Sequence, residues 1–329
     1  MSRPDVTVVI PTRDRPTRLA ATLAGVWRQR DVCLEVVLVD DGSAAGVAAG
    51  YERLRSDRLR VLRNATPRGP AAARNAGIAA ARGQWVAFLD DDDLWAPTKL
   101  RRQLDAAERA DAGWAWCGAV YLSSDGAVLS VASGPSPEDV RRRLPSGSVI
   151  PAGASNVIAS AALLQRVGGF DDDIFHMPDW DLWLRLLMVD AGAAHPEPLV
   201  GYVQHPGMLS HQRTTVLDRD LAIIDRKLRG HGLRPSDTAV RRGLLEWMAH
   251  GHMAAGRWRA AARVYARSGA RYRRPDDLIR AIGALGRARG SRAAERVTRR
   301  LAAPAAVAPA ERPGWLDEYA EFPHSPAMR

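Results

Sequence analysis

The stretch from Trp85 to Asp93 constrains the fold of this chain more than any other. Trp85 to Leu89 are all apolar, which is typical of a strand buried on both faces of a sheet. Four consecutive aspartates, Asp90 to Asp93, follow that strand directly. In an open α/β sheet, ligands bind in the crevice beyond the carboxyl ends of the strands. The pattern therefore predicts an α/β domain with an acidic binding site at one edge of its sheet.

Four adjacent carboxylates repel one another, and a bound divalent cation would remove that repulsion. Mg²⁺ and Mn²⁺ prefer oxygen ligands, and such sites commonly leave positions for substrate phosphates. The alternative is that these acids complement the dipole of a helix that begins near Pro97. We favour a divalent metal site, because a solvated helix start gives no reason for four carboxylates in a row.

Two further strands end in polar loops. Val6–Ile10 leads into Pro11–Arg15, and Leu34–Val39 leads into Asp40–Ser43, where Ser43 is predicted to cap a helix. Strands alternate with helices in this half of the chain, which predicts parallel pairing and brings the three loops to one edge. No GxGxxG pattern follows the first strand, which argues against a dinucleotide-binding oxidoreductase.

Length and charge limit the class of protein. The 329 residues carry a net charge of +10, almost all of it from arginine, and contain no apolar run long enough to cross a bilayer. This charge alone does not distinguish a nucleic-acid binder, a membrane-surface protein and an ordinary enzyme. Cys33 and Cys117 are predicted to be reduced core residues, and no signal peptide is visible, so we expect a cytoplasmic protein.

The polar loops carry an ordered set of four motifs. They are Val8-Val-Ile-Pro-Thr12, Val39-Asp-Asp-Gly-Ser43, Ala73-Arg-Asn-Ala-Gly77 and Phe88-Leu-Asp-Asp-Asp-Asp-Leu-Trp95. In this order they closely resemble the family 2 glycosyltransferases, over roughly the first two thirds of the chain. The resemblance implies the GT-A fold, a Rossmann-like α/β architecture with a mixed, mainly parallel sheet and flanking helices. It also implies an inverting enzyme that takes its sugar from a nucleoside-diphosphate sugar.

The resemblance assigns donor-binding roles to single residues. Pro11, Thr12 and Asp14 correspond to the loop that contacts the nucleotide, although Asp14 stands where the family usually has Asn. Asp41 corresponds to the acid that binds the uracil ring, and a carboxylate can accept the imide N–H of uracil or thymine. Arg74 corresponds to an arginine near the donor phosphates, for which a guanidinium is well suited.

The four aspartates match the DxD motif of the family. Asp90 and Asp92 correspond to its two acids, and Asp91 fills the variable position between them. Asp92 is the main metal ligand in this interpretation, and Asp90 and Asp91 also face the nucleotide sugar. Because the four residues are identical, the sequence does not decide which two of them are the acids of the DxD motif. His205, after the last predicted strand, is a candidate third metal ligand, and the alternative for it is a solvated loop histidine.

A second acidic motif spans Met177–Leu187 and follows Gly168-Gly-Phe-Asp171, an ending common before the acceptor site in this family. Asp179 and Asp181 lie in the first turn of a predicted helix, where the helix dipole alone would favour acids. The resemblance makes Asp179 the base that deprotonates the acceptor hydroxyl, with Pro178 in place of the usual Glu. For Asp181 both interpretations stay open.

The pattern changes from strands to amphipathic helices near residue 214. This predicts a catalytic domain over residues 1–213, a helical region over 214–302 and a loosely ordered tail over 303–329, with Trp315 and Tyr319 as candidate anchors. The basic helix faces predict either contact with an anionic membrane surface or packing on the catalytic domain.

The sequence therefore predicts a glycosyltransferase with a UDP- or dTDP-linked donor, a bound Mn²⁺ or Mg²⁺ ion and a hydroxyl acceptor that it does not identify. We expect it in the cytoplasm or at the inner face of the membrane, with no nucleic-acid partner. A sugar-phosphate nucleotidylyltransferase would share the fold and metal, but it should have a Gly-rich first loop, which Pro11–Arg15 lacks. A non-enzymatic Arg-rich binder of nucleic acid or membranes would explain the charge but not the acids at the strand ends.

Overall fold

The computed structural model describes residues 3–205, 217–230, 232, 238–254, 256–291 and 312–319. The chain divides into two compact units, one formed by Met1–Val203 with Ala310–Arg329 and the other by Gln204–Pro309. The domain boundary predicted at residues 213 and 214 lies outside the described residues. Within the described ranges, no helix is both long and apolar enough to cross a membrane.

A nine-stranded mixed sheet forms the centre of the first unit, in the order β3-β2-β1-β4-β8-β6-β9-β5, with β7 paired to β6. The strands are β1 (Val6–Thr12), β2 (Leu34–Asp40), β3 (Leu59–Arg63), β4 (Trp85–Phe88), β5 (Leu94–Trp95), β6 (Trp114–Ser123), β7 (Val128–Ala132), β8 (Ile158–Ser160) and β9 (Ala193–Gln204). The predicted mixed sheet is confirmed. Parallel pairing is confined to β3-β2-β1-β4, and β8 pairs antiparallel to both β4 and β6.

The register of the parallel strands brings their polar ends together. Thr12 at the end of β1 pairs with Asp40 at the end of β2, and β1 pairs on its other side with β4. Every residue of β2 is buried, as expected for a central strand covered on both faces. The loops after β1, β2 and β4 therefore leave the same edge of the sheet, as predicted.

Among the described residues of the first unit, seven α-helices flank this sheet: α1 (Pro16–Trp27), α2 (Ala45–Glu52), α3 (Pro70–Ala80), α4 (Lys99–Ala110), α5 (Pro137–Arg143), α6 (Ala161–Val167) and α7 (Pro178–Leu187). Four of them begin with proline, whose fixed φ suits the first helical position. The predicted cap of α2 is wrong. Ala44 occupies the N-cap position, and the Ser43 hydroxyl instead accepts a hydrogen bond from the Asp14 amide at 2.9 Å.

Small residues let α3 pack closely on the sheet. A Cβ atom at Gly77 would lie 2.2 Å from Cγ1 of Val9 in β1, which is too close for any side chain there. Arg74 lies one turn earlier on the same helix, so this close contact also fixes the position of its guanidinium over the edge of the sheet.

The described part of the tail, residues 312–319, packs on the first unit. The Tyr319 hydroxyl donates a hydrogen bond to the Trp95 carbonyl at 2.7 Å, and the Trp315 indole donates to the Pro198 carbonyl at 2.9 Å. A Cβ at Gly25 in α1 would lie 2.1 Å from the Tyr319 hydroxyl oxygen. Trp315 and Tyr319 thus act as anchors, as the sequence predicted, and the rest of the tail lies outside the described residues.

The second unit contains α8 (Leu217–Gly230), α9 (Thr238–Ala254), α10 (Trp258–Tyr272) and α11 (Pro275–Ala288). Small side chains join α10 to α11, because Ala261 and Ala262 pack with Ala284 in a buried cluster. The Ser268 hydroxyl also donates to Asp277 Oδ2 at 2.7 Å, which ties the end of α10 to the start of α11. These contacts form a helical hairpin.

The core of the first unit encloses a lysine. Lys99 is fully buried, its Nζ lies 3.9 Å from the centroid of the Trp95 ring, and it has no hydrogen-bond partner among the described residues. Burial lowers the pKa of Lys99 to about 7 and raises the pKa of the nearby Cys117 thiol to about 11. Cys117 is the buried core cysteine that the sequence predicted, whereas Cys33 is exposed and that part of the prediction is wrong.

We predict that Lys99→Met increases the free energy of unfolding near pH 7. In the folded wild-type protein Lys99 loses its proton above a pKa of about 7, whereas the unfolded chain keeps it up to the ordinary value of 10.5. Stability should therefore rise with pH between 7 and 9, by at most about 1.4 kcal/mol per pH unit. Urea denaturation at several pH values in this window should show the slope in the wild type and its loss in the variant.

Lys227→Met provides a matched control, because it changes the only other lysine in the chain. This variant should keep the wild-type pH slope. Parallel pH profiles for wild type and Lys99→Met would contradict the prediction.

Candidate active site

The loops after β1 and β2 are tied to each other by short hydrogen bonds. The Asp41 amide donates to the Thr12 carbonyl at 2.9 Å, and the Ala44 amide donates to Asp14 Oδ1 at 2.8 Å. Asp14 has a φ of 54°, in the left-handed region that Asn and Asp tolerate best among residues other than glycine. Thr12 and Asp14 therefore hold the first two loops as one surface, next to the partly buried Pro11.

Asp41 organises the loop that leads into α3. Its Oδ1 accepts hydrogen bonds from the Asn64 side chain at 2.8 Å and the Arg68 amide at 2.9 Å, and its Oδ2 accepts from the Gly69 amide at 2.8 Å. Asp41 is itself buried. Its carboxylate thus fixes the backbone of residues 64–69, a role that the sequence did not indicate.

The four aspartates after β4 separate into an inner and an outer pair. Asp91 and Asp93 are buried, whereas Asp90 and Asp92 are partly exposed. Asp91 Oδ2 accepts a hydrogen bond from the Thr12 hydroxyl at 2.7 Å. Asp93 accepts from the Ser155 hydroxyl at 2.5 Å and from the Val203 amide at 3.0 Å, which joins this turn to β9. Asp93 therefore holds the turn in place.

Two arginines compensate the charge of this run. Arg15 Nη1 lies 3.1 Å from Asp91 Oδ1 and 2.8 Å from Asp92 Oδ2, and the Arg74 guanidinium forms an ion pair with Asp90. The Arg15 amide also donates to the Tyr51 hydroxyl at 3.0 Å. Each of the two outer acids is thus already in contact with a cation that the chain itself supplies.

Burial and mutual repulsion disfavour the charged forms of the inner acids. Burial raises the pKa of Asp91 to about 7, the charge of Asp92 adds to this rise, and the Arg15 guanidinium opposes it. Burial also raises the pKa of Asp93 well above its ordinary value, and the charges of Asp92 and Asp90 add to that rise. Negative charge therefore concentrates on the outer pair.

The residues of the outer pair fit a divalent cation by their chemistry. Within the described ranges, no group of three or more His, Cys, Asp or Glu side chains is arranged to hold a metal ion. The outer carboxylates nevertheless offer the hard oxygen donors that Mg²⁺ and Mn²⁺ take alongside substrate phosphates. Asp90 Oδ2 accepts no hydrogen bond among the described residues, so it is available as such a donor. His205 follows β9, is buried and belongs to the second unit.

Asp179 lies within electrostatic range of the ion pair between Arg74 and Asp90. Burial raises the pKa of the Asp179 carboxyl above its ordinary value, the charge of Arg74 opposes that rise, and the charge of Asp90 adds to it. A Cβ at Gly153 would lie 2.6 Å from Asp179 Oδ2, so a glycine leaves room for the carboxylate. The Arg74 guanidinium also lies 5.4 Å from the centroid of the Phe170 ring.

Asp181, in the same helical turn as Asp179, has a different environment. It is almost fully buried, and its Oδ2 accepts hydrogen bonds from Arg185 Nε at 3.0 Å and Nη2 at 2.6 Å. Arg185 Nη1 in turn donates to the Val167 carbonyl at 2.6 Å, which links α7 to the end of α6. These contacts favour a structural role for Asp181.

The structure adds residues that the sequence did not single out: Arg15, Tyr51, Ser155 and Phe170. Ser155 Oγ donates to Asp93 and also accepts a hydrogen bond from the Asp90 amide at 3.0 Å, so it shapes the whole acidic turn. Arg15 ends the polar loop Pro11–Arg15, and Phe170 lies inside the motif Gly168-Gly-Phe-Asp171, so the sequence offers a signal for both positions. Tyr51 and Ser155 lie in segments with no distinctive pattern.

A comparison of the sequence with known families decides the assignment. The model of glycosyl transferase family 2 matches residues 7–145. The succinoglycan biosynthesis protein ExoO of Rhizobium meliloti (strain 1021) is 32% identical over 235 residues, which cover 67% of this chain and 66% of ExoO. The chain belongs to glycosyl transferase family 2. This membership confirms both the resemblance and the enzyme class predicted from the motifs.

Other relatives of this family 2 glycosyltransferase extend the comparison. The Escherichia coli protein UDP-Glc:alpha-D-GlcNAc-diphosphoundecaprenol beta-1,3-glucosyltransferase WfaP is 24% identical over 222 residues, covering 67% of this chain and 85% of that protein. The crystal structure of S. aureus TarS 1-349 in complex with UDP-GlcNAc has a TM-score of 0.56 at 17% identity, covering 87% of this chain and 92% of that one. The likeness to TarS shows a shared fold and confirms the predicted GT-A class.

We predict that Asp181→Ala destabilises the protein without removing activity from the folded fraction. The loss should be about 1–3 kcal/mol, because the variant breaks charged hydrogen bonds at a site where Arg185 is partly exposed. Chemical denaturation combined with turnover per folded molecule measures both quantities. Arg185→Ala removes the same pair from its other side and should give a similar loss. Unchanged stability with abolished turnover would instead make Asp181 a catalytic residue.

Proposed function

We propose that this family 2 glycosyltransferase moves a sugar, with inversion, from a nucleoside-diphosphate sugar to an acceptor hydroxyl. One observation carries the proposal: the Asp179 carboxyl lies within electrostatic range of the Arg74–Asp90 ion pair, and Asp90 follows β4 at the edge where the loops after β1, β2 and β4 leave the sheet. A carboxylate of raised pKa next to a phosphate-binding arginine combines a base for the acceptor with a site for the donor diphosphate.

The first two loops and Arg74 form the proposed donor site. Thr12 and Asp14 would line the nucleotide, Asp41 would accept the N–H of a uracil or thymine ring, and Arg74 would contact the diphosphate. The buried surroundings of Asp41 support this role, because a charge-assisted hydrogen bond is strong where water is excluded. A UDP-linked donor is favoured, because TarS binds UDP-GlcNAc and the name of WfaP specifies UDP-Glc.

Asp92 and Asp90 are the proposed ligands of a divalent cation, Mn²⁺ or Mg²⁺. Their partial exposure, in contrast to the buried Asp91 and Asp93, supports this choice within the run. A cation bound there supplies Lewis-acid stabilisation of the charge on the departing diphosphate. The chain itself supplies the guanidinium groups of Arg15 and Arg74 around the same carboxylates.

Asp179 is the proposed general base. Its carboxylate takes the proton of the acceptor hydroxyl while that oxygen attacks the anomeric carbon from the face opposite the diphosphate. The bond from the anomeric carbon to the diphosphate oxygen breaks, its electron pair leaves with the diphosphate, and the configuration inverts. The raised pKa of Asp179 makes it a stronger base than an exposed aspartate. No covalent enzyme intermediate is required, so no nucleophilic Ser or Cys is needed.

Asp179→Asn and Asp92→Ala should impair different steps. We expect Asp179→Asn to bind the donor normally and to transfer about 10²–10⁴-fold more slowly, the usual cost of losing a general base. We expect Asp92→Ala to weaken the metal-dependent binding of the donor. Calorimetry with a UDP-sugar in the presence and absence of Mn²⁺, together with transfer rates, separates the two effects.

The donor sugar nucleotide has to be identified before these binding constants and rates can be measured. Hydrolysis of a panel of UDP-, dTDP- and GDP-sugars with Mn²⁺ identifies the donor without a known acceptor. Asp181→Ala is the matched control for Asp179→Asn, since both change an acid in the first turn of α7. Near-normal transfer by Asp179→Asn would overturn the assignment of the base while leaving the family intact.

Asp41→Ala should weaken the binding of free UDP as well as of the UDP-sugar. The lost bond is charge-assisted and worth roughly 1.5–3 kcal/mol. Because Asp41 also anchors residues 64–69, Asn64→Ala serves as the control: it removes one loop contact and keeps the carboxylate. We expect a much smaller loss of UDP affinity in that control. If Asp41→Ala binds UDP with unchanged affinity in calorimetry, Asp41 only anchors the loop and does not contact the base.

A further inference from the structure

Helix α11 in the second unit has its small residues inside and its large aliphatic residues outside. Ala281, Gly283 and Ala284 are buried. Leu278, Ile279, Ile282 and Leu285 are 43%, 51%, 70% and 45% exposed. A helix that only covered its neighbour would place these residues the other way round, because large aliphatic side chains contribute most when buried.

The four exposed aliphatic side chains lie on one face of the helix. Leu278 and Ile279 lie four and three residues before Ile282, and Leu285 lies three residues after it. Residues three or four apart are neighbours on the surface of a helix with 3.6 residues per turn. They make up four of the nine large hydrophobic residues that are exposed in the described parts of the chain. We call Leu278, Ile279, Ile282 and Leu285 the outer face of α11. A contiguous exposed patch of this kind marks an interaction surface.

The outer face is surrounded by positive charge. Residues 256–291 contain ten arginines and two aspartates, a net charge of +8 within a chain whose net charge is +10. Arg289 is exposed and lies two helical turns after Ile282, on the same face. Of the two acids, Asp277 is buried and bonded to Ser268. Asp276 is exposed beside Arg274, and Glu246 of α9 pairs with Arg280. The surface around α11 therefore presents aliphatic groups and an excess of cationic over anionic ones.

This combination selects among the candidate occupants. A second copy of the chain, related by a two-fold axis, would bring two positively charged surfaces together, which costs electrostatic energy. Nucleic acid would use the arginines but would leave the aliphatic groups in water. An anionic bilayer accepts both, because its headgroups attract the arginines and its interface takes up aliphatic side chains. We propose that the outer face of α11 docks on an anionic phospholipid membrane.

The proposal is tested by vesicle binding with the full chain. Sedimentation with phosphatidylcholine vesicles containing phosphatidylglycerol should show binding that weakens as salt is added, and pure phosphatidylcholine should bind much less. Ile279→Gln combined with Ile282→Gln should lower the partition coefficient at least about tenfold, since two aliphatic side chains that would enter the bilayer are lost. Arg289→Gln should lower it about fivefold, the effect of one basic residue at such a surface.

Leu129→Gln is the matched control, because Leu129 is also 51% exposed but lies on β7 in the first unit. It should bind vesicles like the wild type. All four substituted positions are exposed, so the variants should fold, which circular dichroism checks.

Three results would overturn the proposal. The first is failure of the wild type to bind the anionic vesicles at low salt, and the second is unchanged binding by the double variant. The third is a protein that does not bind vesicles but forms a concentration-dependent dimer in light scattering, which the double variant abolishes. The outer face would then be a contact between two copies of the chain. None of these results bears on donor binding or on Asp179.

Discussion

The repulsion within the run of four aspartates is the constraint on which the rest of the site depends. Two unit charges 4 Å apart near a protein surface interact by about 4 kcal/mol, so four such groups cannot stay ionised together without compensation. The fold provides that compensation from two directions. The loop after β1 supplies Arg15, and α3 supplies Arg74. Both can reach the run because β1 is the direct neighbour of β4 in the sheet.

The two kinds of aspartate in the run have different physical roles. Asp91 and Asp93 are buried and bond to Thr12, Ser155 and the backbone of β9, so they fix the position of the turn. Asp90 and Asp92 then reach solvent from a turn that cannot shift. Such rigid support is what a binding site for charged phosphates requires, because preorganised groups need no rearrangement when the ligand arrives.

Much of the first unit was predictable because its strands are buried on both faces and read as short apolar runs. The sequence predicts β1, β2 and β4 in this way, and the ordered motifs indicate the family. The two-residue strand β5 (Leu94–Trp95) was missed, since so short a segment has no periodicity. The pairing of Arg15 with Asp91 joins residues 76 positions apart, and no local pattern specifies such a contact. For the same reason Ser43 was misjudged: a residue in the other loop, Asp14, uses its hydroxyl.

The path of the chain through the two units has a consequence for how the protein can be divided. The chain leaves the first unit after Val203 and returns to it at Ala310, and there Tyr319 fills the space over Gly25 and bonds to Trp95. The helical unit is therefore an insertion into the first unit and has two covalent junctions with it. A protein shortened within the helices would lack Leu316 and Tyr319, which are part of the hydrophobic core of the first unit. An excised form of the first unit would need a short linker that replaces residues 204–309 and keeps this segment.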